Sequence, residues 1–406
     1  MAATRRSGAD WLALGVTAVL PLVAWPGLVR PFSTPKLWLL GGASAIVLGL
    51  TWRSARAAPA VEGCTRLLRV LPAVWLASWV VPSLLGGVVS MDALATAVAT
   101  GLWAVALLAA RLRPFDLALA AVVGGTSVAM IALLQWIGLD PFAAAGWLPE
   151  IRGASVRMRI YGTLGNPNFV AALLAAAMPL TAGVATAMKS RNTRAGVMTL
   201  LALQILALAA TGSRGGALGV IAAGVTWAMA SGRGRIAVVA AALVAASAIA
   251  VQSPARPLRQ TLNGRVYMWT VITGQALAHP WIGHGPGGVA AHYRAWESAA
   301  RRAGADPTLA GQFGGPQQHA HNDYLEALTE RGIPGLVALV LVVGTPIVCA
   351  VRRARRRHDP ILRASAAAIA AIGAVAFVDF PLARPDELVA FWTALVITAS
   401  PSPDTV

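Results

Sequence analysis

Two histidines, two acidic residues and an asparagine fall within residues 319–326, and this group of side chains could do chemistry. An imidazole has an ordinary pKa of about 6.5, so His319 or His321 could accept a proton near neutral pH. Asn322 and Asp323 follow directly and could orient such a ring. His319, His321 and Asp323 could instead suggest a metal site, but their i, i+2, i+4 spacing straddles the expected start of a helix. We therefore favour a base without a metal.

Arginines beside glycines form two further clusters. Residues 211–216 read Thr-Gly-Ser-Arg-Gly-Gly, a glycine-rich turn that points Arg214 outward. Residues 264–269 read Gly-Arg-Val-Tyr-Met-Trp and contain Arg265, and Gly-His-Gly-Pro-Gly-Gly follows at 283–288. That last run resembles a nucleotide-binding glycine motif, but no strand precedes it and a turn is favoured. Outward guanidinium groups indicate an anionic ligand, because their planar fork matches phosphate oxygens.

A fourth cluster precedes a long apolar run. Residues 159–168 read Arg-Ile-Tyr-Gly-Thr-Leu-Gly-Asn-Pro-Asn. Asn166 is a suitable N-cap and Pro167 a suitable first-turn residue, so the pattern alone predicts an ordinary helix start. Arg159, Asn166 and Asn168 become candidate substrate contacts if this helix end faces the other clusters.

The composition places all four clusters in a membrane protein. Of the 406 residues, 57% are hydrophobic and only 12% are charged, whereas a soluble domain carries about 25% charged residues. A chain of soluble domains and a disordered coil are both excluded. Continuous apolar runs also exclude an outer-membrane barrel, whose strands alternate. We therefore predict an all-α polytopic membrane protein.

Apolar runs of about 20 residues, the length that crosses a bilayer, predict twelve transmembrane helices. The predicted spans are residues 11–29, 36–52, 70–88, 92–110, 115–138, 166–188, 196–211, 214–230, 235–251, 331–351, 361–380 and 385–400. The chain then has three parts. Residues 1–251 hold spans one to nine, residues 252–330 form a large helical loop, and residues 331–406 hold the last three spans.

Basic residues set the orientation of these spans. If twelve spans alternate, the short loops on one side are rich in arginine and lysine, and that side is cytosolic. The net charge of +17 therefore reflects topology rather than binding to nucleic acid. Cys64 and Cys349 both fall on the cytosolic side, so we expect neither to form a structural disulfide. The loop at 252–330 faces the outside.

Two features of the outer side add to this picture. Arg331 lies at the mouth of a span, where it joins the arginines available to an anionic ligand. Residues 289–302 predict an amphipathic helix with Val289, Trp296 and Ala300 on one face. This face could lie along the membrane surface or pack on the core of the loop itself.

Taken in order, the runs YGTLGNPN, TGSRGG, GHGPGG and HAHNDYLEALTERGIPG, with the step from Arg265 to Trp269, resemble the O-antigen ligase and polymerase superfamily. The resemblance implies a multi-span glycosyltransferase of the bacterial cytoplasmic (inner) membrane, with its active site on the periplasmic side. It implies transfer of a glycan from undecaprenyl diphosphate to an acceptor such as the lipid A core. His321 matches the family's essential loop histidine, and Arg214 and Arg265 match its essential arginines.

The residues fit this chemistry. A lipid diphosphate is already an activated leaving group, so we expect no nucleotide and no other cofactor. Arg214 and Arg265 would stabilise the developing negative charge without a metal. His321 would accept the proton of the acceptor hydroxyl. The remaining candidate substrate contacts in this region are His319, Asn322, Asp323 and Arg331.

Other functions stay open at this point. An O-antigen polymerase or a protein O-oligosaccharyltransferase of the same superfamily would use the same residues on a different acceptor. A transporter or flippase for an anionic lipid would also need outward arginines. Transporters place charged residues near mid-membrane, whereas here the predicted spans are nearly free of charge. The exception is Asp379, which lies near the outer end of its predicted span. The glycosyltransferase is therefore favoured.

Overall fold

The computed structural model describes residues 6–56, 63–85, 87–147, 160–232, 258–310 and 314–400, and these residues form fourteen α-helices. The helices are α1 (Gly8–Val19), α2 (Thr34–Arg56), α3 (Cys64–Leu85), α4 (Met91–Ala110), α5 (Pro114–Trp136), α6 (Pro141–Ala144), α7 (Pro167–Ala187), α8 (Arg191–Thr211), α9 (Arg214–Ser231), α10 (Leu258–Ala278), α11 (Gly288–Arg302), α12 (Asp323–Arg357), α13 (Pro360–Val375) and α14 (Pro385–Ala399). The prediction of an all-α chain is confirmed.

Six of the described helices are long and apolar enough to cross a membrane, namely α3, α4, α5, α7, α8 and α12. Two shorter apolar helices, Gly8–Leu22 and Pro360–Val375, accompany them. The protein is therefore a polytopic membrane protein. Every predicted span within the described residues overlaps a helix, while the predicted span at 235–251 lies outside them. Twelve crossings stay a prediction.

Two predicted spans are too long at their ends. The span at 11–29 is wrong beyond Leu22, where a short 3₁₀ turn closes α1 and the chain leaves the helix. Proline explains this ending, because Pro21 and Pro26 have no N–H to continue the backbone ladder. The span at 361–380 ends as a helix at Val375, and the residues that follow form the link to α14.

Small residues let three helices of the bundle approach closely. A Cβ added at Gly216 of α9 would lie 2.6 Å from the Cβ of Ala171 on α7. One helical turn later, Gly219 meets Ala175 of α7 and Val375 of α13. Small side chains of this kind favour tight helix packing in lipid. As a result, the start of α9, where Arg214 lies, is held beside the end of α13.

Helix α12 contains a kink that anchors the loop. Gly332 has φ 67° and ψ −170°, which are not helical values. The backbone N–H of Ile333 donates instead to the carbonyl of Pro280, at 2.7 Å. Gly332 packs so closely on the carbonyl of Trp281 that a side chain would clash. The polar first part of α12 and its apolar remainder are therefore two segments, with the loop seated at their junction.

The loop has a core of its own. The buried apolar residues of this core are Tyr267, Met268, Val271, Ile272, Val289, Tyr293, Ala310 and Ala320. The predicted helix at 289–302 is confirmed as α11, which packs against α10 through this core. Of its two alternatives, packing on the core of the loop is the one observed. The glycine run at 283–288 forms a turn, as predicted, with positive φ at Gly283, Gly285 and Gly287.

The expectation for the two cysteines is wrong. Cys64 at the start of α3 and Cys349 in α12 are joined by a disulfide, with their Cα atoms 6.0 Å apart. The two residues are 285 positions apart in the chain. The expectation rested on the compartment alone, whereas the packing of α3 on α12 brings the two side chains together.

We expect the turn between α7 and α8 and the loop to lie on opposite sides of the membrane. The test replaces Cys64 and Cys349 with serine and introduces Asn192→Cys or Ala303→Cys, both at exposed positions. A membrane-impermeant thiol reagent applied to intact spheroplasts should label Ala303→Cys, and Asn192→Cys only after lysis. Labelling of both positions from one side would contradict three crossings between them.

Candidate functional site

His321 and Asp379 form the centre of the site. His321 precedes the N-cap of α12 and has φ 47°, a left-handed conformation that few non-glycine residues adopt. Its Nδ1 lies 3.4 Å from Oδ1 of Asp379. The edge of the ring meets Phe380, with centroids 5.0 Å apart. The side chain is 26% exposed, so a ligand can reach it while the acid behind it is buried.

Asp379 belongs to the link between α13 and α14. Its side chain is 7% exposed and accepts a hydrogen bond from the backbone N–H of Phe380 at 3.0 Å. The sequence signal for this residue was its position: an acid near the outer end of an otherwise apolar span. Sequence reasoning noted it without assigning it a role. The carboxylate that lies beside the His321 ring belongs to Asp379, whereas Asn322 and Asp323 bond backbone N–H groups.

Two arginines share this electrostatic environment. Burial lowers the pKa of the Arg265 guanidinium, and the nearby charge of Arg214 lowers it further, while Asp379 acts in the opposite direction. The Nε of Arg265 is buried and has no hydrogen-bond partner within the described part of the chain. Arg214 is the first residue of α9, immediately after the N-cap Ser213. The structure thus brings together Arg214, Arg265, Asp379 and His321, four residues from four parts of the chain.

His319 has a different environment from His321. Its Nδ1 lies 2.9 Å from Oε1 of Glu326, and the ring stacks on Phe380 at a centroid distance of 4.1 Å. Burial by itself would lower the pKa of His319, but the charge and hydrogen bond of Glu326 raise it above the ordinary value. The other carboxylate oxygen of Glu326 accepts from the N–H of Ala320 at 2.7 Å. His319 is therefore held in an ion pair inside the loop.

Asn322 and Asp323 have structural partners. The side chain of Asn322 caps α12, accepting at 3.0 Å from the N–H groups of Tyr324 and Leu325. Asp323 is buried, and its Oδ2 accepts from the N–H of Leu382 at 2.9 Å. The helix start predicted at this point is confirmed. Neither side chain is directed at His321.

Residues 199–340 match the family described as O-antigen ligase. This match, over about a third of the chain, identifies the O-antigen ligase and polymerase family. No curated protein matches the chain. The family implies a membrane glycosyltransferase-type activity with lipid-linked glycans as the class of substrate. The matched segment contains Arg214, Arg265 and His321, whereas Asp379 lies beyond its end.

The start of α7 reaches the same region as His321 and Phe380. Asn166 caps α7, its Oδ1 accepting from the N–H of Asn168 at 2.9 Å. The next residue, Phe169, packs edge-on against Phe380 with centroids 5.4 Å apart. The guanidinium of Arg384 lies over the Phe169 ring, with its Cζ 4.2 Å from the ring centre. Sequence reasoning did not identify Arg384, and the candidate Arg159 lies outside the described residues.

Arg331 lies away from the His321–Asp379 pair. Its side chain is buried, and its Nη1 donates to Oγ of Ser78 on α3 at 3.1 Å. The guanidinium stacks 4.3 Å from the ring centre of Trp79, a cation–π contact inside the helix bundle. The structure does not bring Arg331 to the surface that His321 faces. Within the described ranges, no group of three or more His, Cys, Asp or Glu side chains is arranged to hold a metal ion.

Proposed function

We propose that this protein is an O-antigen ligase-like glycosyltransferase that moves a glycan from undecaprenyl diphosphate to an acceptor on the periplasmic face of the cytoplasmic membrane. The lipid A core is the acceptor that we propose. The observation that carries this proposal is the His321–Asp379 pair beside Arg214 and Arg265, in a chain that matches the family over residues 199–340. The proposed active site is formed where the loop meets the bundle.

The two arginines would act on the donor. When the bond between the sugar's anomeric carbon and the diphosphate oxygen breaks, its electron pair stays on that oxygen and negative charge develops there. Arg214 and Arg265 supply positive charge at this point. The Nε of Arg265 has no hydrogen-bond partner among the described residues, and we propose that this guanidinium donates to a phosphate oxygen of the donor. Preorganised cations in a poorly hydrated site stabilise such charge strongly, so a metal ion is not required.

His321 would act on the acceptor. The acceptor hydroxyl oxygen forms the new bond to the anomeric carbon, and its proton passes to the imidazole. Because Nδ1 of His321 faces Asp379, we assign the role of proton acceptor to Nε2. Asp379 then stabilises the imidazolium that forms, much as a buried carboxylate does in a catalytic triad. Asp379 is a positioning residue in this scheme.

The identity of the acceptor distinguishes this proposal from the alternative functions. A polymerase would extend a lipid-linked glycan, and a protein O-oligosaccharyltransferase would modify a protein. A flippase of an anionic lipid would perform no transfer. Arg214, His321 and Asp379 lie at helix ends or in links, and Arg265 lies in the loop helix α10. None of the four lies in the centre of an apolar membrane-spanning helix, which supports transfer at an interface over transport through the bilayer.

Deletion of the gene should leave the lipid A core without its glycan while the lipid-linked donor accumulates. The glycolipids and glycoproteins of the deletion strain, with and without the complementing gene, provide the measurement. Capped core of reduced glycan length would indicate a polymerase, and loss of a glycoprotein would indicate a protein acceptor. Unchanged capping of the core would contradict the proposed acceptor.

Lysine at either arginine should lower transfer by about 10- to 100-fold, the value of one or two charged hydrogen bonds. Arg214→Lys and Arg265→Lys keep the charge but lose the planar fork that spans two phosphate oxygens. The assay is in vitro transfer from lipid-linked glycan by purified variants that accumulate normally. Arg302→Lys, at an exposed position at the end of α11, is the matched control. Full activity in both site variants would remove the diphosphate role.

His321→Ala should lower transfer by about 10²–10⁴-fold, the usual contribution of a general base. His319→Gln should cost far less, because His319 is held in an ion pair with Glu326. Asp379→Asn should lower kcat and leave the KM for the donor unchanged, since the amide cannot stabilise an imidazolium. Each variant is assayed with and without a chelator.

Three results would contradict this assignment. Transfer retained by His321→Ala would leave the reaction without its base. An equal loss in His319→Gln and His321→Ala would indicate a joint role for the two histidines. Loss of activity with the chelator would indicate a metal ion in the reaction.

A further inference from the structure

Helix α10 is apolar on two opposite faces. One face packs into the core of the loop through Tyr267, Met268, Val271 and Ile272. The other face is exposed and carries the residues Leu262, Val266, Thr270, Thr273 and Leu277, which we call the α10 stripe. Their spacing of four, four, three and four residues keeps them on one side of the helix. Its three large apolar side chains are each at least half exposed.

The exposed arginines of α11 lie on the other side of the two-helix unit. Helix α11 packs on the face of α10 opposite to the stripe, where the Tyr267 hydroxyl lies 3.3 Å from Oε1 of Glu297. The exposed arginines of α11 are Arg294, Arg301 and Arg302. The α10 stripe itself carries no charged residue. A helix in water normally turns its polar face outward, so the two helices together present one apolar side and one charged side.

The apolar side continues into a membrane-spanning helix. After α10 the chain turns through Trp281 and Ile282, which are 69% and 45% exposed. This turn is tied to α12 by the hydrogen bond from Ile333 to the Pro280 carbonyl. Ile333 begins the exposed apolar face of α12, which continues with Val337, Val340 and Leu341. The stripe, the turn and this face form one surface.

We propose that helix α10 lies in the membrane interface, with the α10 stripe and Trp281 against the lipid acyl chains and α11 turned to the water. The partner is the bilayer itself on the side of the loop. Continuity with the lipid-facing surface of α12 supports this occupant, because that surface already meets lipid. Tryptophan is enriched at membrane interfaces, where one part of the ring is apolar and the N–H is hydrated.

This placement also sets the depth of Arg265. Arg265 is adjacent in sequence to Val266 of the stripe, so its guanidinium is held at the level of lipid head groups. A lipid diphosphate in the same membrane presents its phosphates at that level. This consequence rests on the proposed function, whereas the lipid contact of α10 does not.

The first test uses the native full-length chain in vesicles of phosphatidylethanolamine and phosphatidylglycerol. A lipid-soluble diazirine reagent is photoactivated, and trypsin cleavage after Arg265 and Arg294 separates residues 266–294 from residues 295–301. We expect label on Val266, Leu277 or Trp281 and none on residues 295–301. An unlabelled 266–294 peptide would overturn the proposal. Equal labelling of both peptides would overturn it too, because the loop would then be immersed as a whole.

The second test measures the same surface by fluorescence. Val266→Cys, Leu277→Cys and the control Ala295→Cys, an exposed position of α11, are made with Cys64 and Cys349 replaced by serine and are labelled with NBD. Nitroxide-bearing lipids should quench the two α10 labels and leave the α11 label bright.

Two other outcomes would overturn the proposal. Quenching of the α10 labels by aqueous iodide alone would show a face in water. Protection from both quenchers would show a protein contact there, such as a second copy of the chain. Neither measurement uses transfer activity, so its failure is distinguishable from failure of the proposed function.

Discussion

The site depends on two hydrogen bonds by which Asp323 joins the end of the loop to the link between α13 and α14. Its backbone N–H donates to the carbonyl of Ala376 at 2.8 Å, and its carboxylate accepts from the N–H of Leu382 at 2.9 Å. A buried donor or acceptor left without a partner costs about 1–3 kcal/mol, so both contacts constrain the two segments strongly. Between these two points lie Asp379 and Phe380. His321 and His319 meet them because Asp323 sets the register.

A second buried interaction holds the other side of the same link. The ammonium of Lys36 lies 2.8 Å from Asp386 at the start of α14 and 3.0 Å from the carbonyl of Thr163. The side chains of Lys36 and Asp386 are fully buried, and removing one partner of a buried ion pair costs about 3–5 kcal/mol. The pair joins α2, α14 and the turn that precedes α7. The aromatic contact between Phe169 and Phe380 is thereby kept beside His321.

The two histidines show how packing separates residues of the same type. His319 and His321 are two positions apart, yet one faces Glu326 inside the loop and the other faces Asp379 in the link. The left-handed backbone at His321 turns its side chain away from that of its neighbour. Phe380 stacks on the ring of His319 and makes a T-shaped contact with the ring of His321. The two side chains therefore have different electrostatic surroundings, although they are two residues apart in the chain.

Local properties of the sequence were sufficient for much of the architecture. Hydropathy over about 20 residues located the helices of the bundle, because burial in lipid is a property of each segment by itself. The side chain of Asn166, which caps its own helix, was readable for the same reason. The amphipathic period at 289–302 predicted α11. The ordered motifs indicated the family and the importance of Arg214, Arg265 and His321.

Contacts between distant segments were decided only by the tertiary structure. Asp379 meets His321 across 58 positions, and Cys64 meets Cys349 across 285, because of how helices pack and not because of any local pattern. Arg331 looked like a ligand contact at the mouth of a span, but α3 supplies Ser78 and Trp79 to bury it. Helix periodicity states which residues share a face but not which neighbour covers that face. The sequence therefore determined the helices and their chemistry, and the packing of α3, α12 and the α13–α14 link decided which groups meet.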